Sequence, residues 1–76
     1  MTILEIKNYL SNLTGHVTFT FNGYSCGIDA LSLDSFDMWY GNDEITVDSI
    51  EKVLNVKFFG GKSLIEIWND VTDVEY

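Results

Sequence analysis

The sequence predicts a small α+β domain: an antiparallel sheet of three strands with helices on one of its faces. Three observations predict it. Apolar residues alternate on both sides of Asn22-Gly23, as in a hairpin. Apolar residues at helical spacing follow capping patterns near the start and twice in the second half. The strand-like segments are grouped between the helical ones, which suits helices laid on one side of an antiparallel sheet.

Residues 1–15 open the chain as a helix. Thr2 and Glu5 form a Thr-x-x-Glu capping box, with Met1 and Ile6 at the staple positions. Ile3, Ile6, Leu10 and Leu13 recur at helical spacing, with Lys7, Asn8 and Ser11 on the other side, and Gly15 is the expected stop. "HVTFTFNGYSCGID" follows. Asn-Gly suits a type I′ turn, because both central residues need positive φ. That register pairs Phe21 with Tyr24, Phe19 with Cys26 and Val17 with Ile28, all on one face, and leaves His16, Thr18 and Thr20 on the other.

Phe36, Met38 and Tyr40 alternate with Asp37 and Trp39, which predicts a third strand over 36–40. Gly41-Asn42-Asp43 reads as a turn and Glu44–Val47 as a short extended piece. Asp48 and Glu51 predict a capped helix bearing Ile50, Val53 and Leu54. "VKFFGGK" breaks it. Ser63 and Glu66 predict another, bearing Leu64, Ile65, Ile67 and Trp68, and "VTDVEY" can add a last edge strand. The expected order is α-β-β-β-α-α with room for a terminal β. No proline, repeat or linker interrupts the 76 residues, so one domain spans 1–76.

Composition narrows the function classes. At 46% hydrophobic and 14% aromatic, the chain has enough apolar area for a core despite a net charge of −8. One cysteine, Cys26, excludes an internal disulfide and a multi-cysteine metal site. No run approaches the roughly 18 apolar residues of a membrane helix. The first residues lack a basic segment followed by an apolar one, so no signal peptide is read there. The expectation is a soluble, cytoplasmic protein. Seven acids and no base fall within residues 29–51. Such a field repels nucleic acid and anionic membrane and attracts basic surfaces, although it also serves plain solubility.

Few residues point to catalysis. His16 and Cys26 fall on opposite faces of the hairpin, so they form no Cys–His pair. "GGKS", Gly60 to Ser63, echoes the tail of a phosphate loop, but Val56 stands where the first glycine is needed. It reads as a turn and a cap. Neither Asp43, Glu44 and Asp48 nor Asp29, Asp34 and Asp37 have the spacing of a calcium loop. The expectation is therefore no enzyme activity, no metal and no cofactor.

"DSFDMWYGNDE", Asp34 to Glu44, is left as the candidate site. Alternate strand residues project from one face roughly 6–7 Å apart. Carboxylates at that spacing could occupy a basic groove built for nucleic acid, and interleaved aromatics would add anchoring contacts. The candidate partner-binding residues are Asp34, Asp37, Trp39, Asp43, Glu44, Asp48 and Glu51. The expected partner is a protein with a basic surface, with no direct nucleic acid or membrane contact. An alternative from a different class is a structural, self-associating module. There Trp39, Tyr40 and Phe58 make a homodimer interface and the acids only confer solubility.

The opening helix with "HVTFTFNGYSCGIDALSL", and the later "IEKVLNVKFFGGKSLIEIWNDV", resemble small uncharacterised acidic proteins of Gram-positive phages and mobile elements. The shared residues Phe58 to Leu64 are turn and core chemistry. The resemblance supplies no catalytic residues. It implies a setting in which small acidic proteins act by binding a host or element-encoded protein, including as inhibitors or nucleic-acid mimics.

Overall fold

In the computed structural model, which describes residues 1–13 and 15–76, the elements run α1 (Ile3–Ser11), β1 (His16–Phe21), β2 (Tyr24–Ser32), β3 (Ser35–Tyr40) and β4 (Asp43–Val47). They continue with α2 (Ile50–Asn55), α3 (Leu64–Ile67), a 3₁₀ turn (Trp68–Asp70) and β5 (Thr72–Glu75). The strands form one antiparallel sheet of five in the order β4-β3-β2-β1-β5.

The hairpin forms as its sequence dictates. Asn22 and Gly23 both have positive φ, 53° and 79°, as a type I′ turn requires. The register sets Phe21 against Tyr24, Phe19 against Cys26 and Val17 against Ile28. Both complete capping boxes also form. Thr2 and Glu5 bond reciprocally at α1, and Ser63 and Glu66 do so at α3.

Four expectations need correction. The sheet has five strands, not three, because residues 43–47 pair along their whole length with β3 and residues 72–75 return beside β1. The helix count differs, because the last helix ends at Ile67 and a separate 3₁₀ turn carries Trp68. Ser49 caps α2 in place of Asp48, its hydroxyl accepting from the Lys52 amide. Finally, α1 ends on Asn12 before Gly15 is reached, with Leu13 outside it in the left-handed region.

The core lies between the helices and one face of the sheet. Val17, Phe19, Phe21, Cys26, Ile28, Phe36 and Met38 are buried from the strands, and Ile6, Leu10, Val53, Leu54, Leu64, Ile67 and Trp68 from the helical side. Phe59 joins them from the turn between α2 and α3, where Phe59 and Lys62 exchange backbone bonds around Gly60-Gly61. Its ring meets Phe19 at 5.6 Å, and Trp68 meets the same phenylalanine edge-on at 5.5 Å. The Trp68 indole N–H is satisfied by the Met1 carbonyl at 2.7 Å, tying α1 to the far end of the chain. Cys26 is fully buried, and burial pushes its thiol above its ordinary range, which disfavours the thiolate. Among the described residues no helix is long and apolar enough to cross a membrane.

Candidate functional site

The other face of the sheet has no helix on it. Pairing fixes what it shows, because cross-strand partners share a face. One row across the sheet runs Glu44, Trp39, Gly27, Thr18 and Glu75, from β4 to β5. The next runs Thr46, Asp37, Asp29 and His16. A third holds Ser25, Thr20 and Thr72.

Trp39 is half-buried at the centre of this face. Its cover comes from below, where its indole lies over Gly27, directly opposite on β2. A Cβ added at Gly27 would stand 2.2 Å from Cζ2 of Trp39, so any side chain there displaces the ring. The pair explains a glycine inside a central strand, where it otherwise weakens the sheet.

Carboxylates surround the indole. Glu44 is opposite Trp39 on β4, and Asp37 is two residues before it on the same strand. Asp37 accepts a hydrogen bond from the Thr46 hydroxyl at 2.7 Å, which orients it at the β3–β4 seam. Asp29 is directly across from Asp37 on β2. Like charges placed opposite one another destabilise a sheet, so this pair carries a stability cost. Glu75 closes the far end of the row.

Charge divides sharply between the two layers. The strands and their turns hold Asp29, Asp34, Asp37, Asp43, Glu44, Asp73 and Glu75 and no lysine or arginine. The helical layer holds Glu5, Asp48, Glu51, Glu66 and Asp70 together with all the lysines. Its acids are largely engaged. Lys7 pairs with Glu51 at 3.2 Å, Lys52 with Asp48 at 2.9 Å, and Lys57 with Glu66. The Lys57 ammonium, with the Ser63 amide, holds the Glu66 carboxyl down at about 2.

The predicted site residues therefore separate. Asp37, Trp39 and Glu44 come together on the open face. Asp43 stands at the end of the edge strand opposite Tyr40, and Asp34 sits in the β2–β3 turn, accepting from the Ser32 hydroxyl at 2.9 Å. Asp48 and Glu51 belong to the helical layer, where lysines answer them. Asp29, Glu75 and Gly27 join the face without having been singled out as site residues. Asp29 and Gly27 could have been found from the hairpin register continued into β3. Glu75 could not, because nothing local in "VTDVEY" names β1 as its neighbour.

Trp39, Tyr40 and Phe58 share no surface. Trp39 faces outward, whereas Tyr40 and Phe58 pack against the core on the other side. Exposed apolar side chains lie elsewhere, with Leu31 and Leu33 exposed by 57% and 66% at the β2–β3 end of the sheet. Among the described residues no group of three or more His, Cys, Asp or Glu side chains is placed to hold a metal ion. The chain matches no family model, no curated protein and no solved structure.

Proposed function

We propose that the chain is a non-enzymatic protein-binding module whose open sheet face engages a basic surface of a partner protein. One observation carries the reading: an uncovered antiparallel face presents an aromatic anchor, Trp39, among Asp29, Asp37, Glu44 and Glu75, with no lysine or arginine on the same layer. Trp and acidic neighbours in that arrangement suit a lysine- or arginine-rich surface. The indole offers apolar area and a cation–π face, and the carboxylates offer steering and charge-assisted bonds. A partner whose basic surface normally meets nucleic acid fits this chemistry. The cross-strand Asp29–Asp37 pair supports the reading further, because a stability cost retained on a surface is what a binding requirement would impose.

The test is affinity capture from a bacterial lysate with the wild-type chain and with Asp37→Lys/Glu44→Lys, at low and high salt. A protein recovered by the wild type at low salt, and lost both with the double variant and at high salt, is the expected result. Equal recovery by both chains would refute the reading. Self-association is the second reading, favoured by Leu31 and Leu33, exposed beside the open face. Sedimentation at several concentrations, with Leu31→Ser/Leu33→Ser as the comparison, separates the two.

A further inference from the structure

The two edges of the sheet are not alike. At one edge β5 pairs with β1 through a register shift between Thr18 and Thr20, and Asp73 within it has φ 55°. A bulge of this kind twists an edge and blocks further pairing. At the other edge β4 runs in unbroken register with β3, from Tyr40↔Asp43 to Phe36↔Val47. It carries no proline, no bulge and no lysine, and its two charged residues, Asp43 and Glu44, are acids, which repel an acidic strand but not a basic one.

The direction of its backbone groups follows from one bond. The Gly41 amide donates to the Ser25 carbonyl at 2.9 Å, so Gly41 bonds toward β2. Bonding direction alternates along a strand, so Asp37 and Trp39 also bond toward β2, and Phe36, Met38 and Tyr40 bond toward β4. Their partners Val47, Ile45 and Asp43 are thereby used. The N–H and C=O groups of Glu44 and Thr46 point away from the sheet.

Beside these two residues is a shallow depression of about 320 Å³ lined by Asp37, Glu44, Ile45 and Thr46. A strand added here would place alternate side chains on the open face, beside Glu44 and Thr46 and one strand away from Asp37. The side chains between them would fall beside Ile45 and Val47, both half-buried on the core side. The first set must be basic and the second small and apolar. A second copy of β4 fits poorly, because it would bring its own Asp43 and Glu44 to an edge that already has both. We infer that the β4 edge is a strand-docking site for an extended segment of another protein, with Lys or Arg at alternate positions and small apolar residues between. This rests on the open face being an acidic partner surface, and it specifies how the partner meets that surface.

The test uses the full chain, labelled with ¹⁵N, and two synthetic peptides of about eight residues, long enough to span β4. One alternates Lys and Val. The other has the same composition in two blocks. At low salt the alternating peptide is expected to bind about tenfold more tightly than the block peptide, or better, and to slow hydrogen exchange at the Glu44 and Thr46 amides by a similar factor. Thr46→Pro removes an outward N–H without removing a β3–β4 backbone bond, loses the hydroxyl bond to Asp37 just as Thr46→Val does, and is expected to weaken the alternating peptide about tenfold. Thr46→Val keeps that N–H and is expected to stay within about twofold. Equal affinity for the two peptides, or unchanged exchange at both amides, overturns strand docking and leaves charge-driven binding standing. Protection of those amides by raising protein concentration alone assigns the edge to a second copy and also overturns it. Failure of both peptides to bind at low salt overturns the acidic-surface reading itself.

Discussion

The two faces of the sheet follow different rules although the same strands build both. On the covered face, position decides everything. Phe19, Phe36 and Met38 are sealed by helices, and their energy comes from area removed from water. On the open face no layer supplies cover, so the sheet makes its own by laying Trp39 over Gly27. The covered face admits no charge. The open face tolerates two aspartates directly opposite each other, which folding alone gives no reason to keep. The difference shows where stability ends and recognition begins in so small a domain.

The largest test of this contrast is Phe19→Ala. Phe19 contacts both Phe59 and Trp68, so a loss of about 3–5 kcal/mol is expected, enough to leave much of a marginal domain unfolded in a urea titration. Next is Gly27→Ala. The new methyl must expel the indole, at about 1–3 kcal/mol, with a red shift in tryptophan emission measured in a Trp68→Phe background. In the Trp39→Ala background the same substitution should cost much less, so the double-mutant cycle should be strongly non-additive. Additive effects would mean that Trp39 does not rest on Gly27.

Smaller, and opposite in sign, is Asp37→Asn. It keeps an acceptor for the Thr46 hydroxyl and removes the repulsion with Asp29. Stability should rise by about 0.2–1 kcal/mol, and the gain should fade with added salt as partner binding falls. The smallest effect lies in the helical layer. The Lys57-held Glu66 has its carboxyl lowered from 4.5 to about 2, so its contribution is present above pH 4.5 and lost as pH falls toward about 2. The stability difference between the wild type and Glu66→Gln should therefore be flat above that window and shrink within it. Parallel curves through the window would show that the ion pair contributes nothing.

Much of the fold was legible because its signals are local. Asn22-Gly23 specified a turn, the turn specified a register, and the register specified the buried set. Thr2 and Ser63 announced their helices for the same reason. β4 was legible only as a short extended piece, because "DEITV" has acids at one end and buries just one side of itself. Of the candidate site, Asp37, Trp39 and Glu44 could be placed near one another from alternation on a strand and a short turn. Asp48 and Glu51 carried the capping pattern of α2 and so a mark of their own, but that Lys7 of α1 answers Glu51 depends on how the helices pack.

The sequence by itself determined the hairpin, the starts of α1 and α3, the charge and which strand residues face the core. These rest on backbone chemistry and periodicity within a few residues. Only the tertiary structure decided that β5 joins β1 and that the unanswered carboxylates share one layer. Each of those depends on which distant segments pair, and pairing is settled by the packing of the whole core rather than by any stretch of chain.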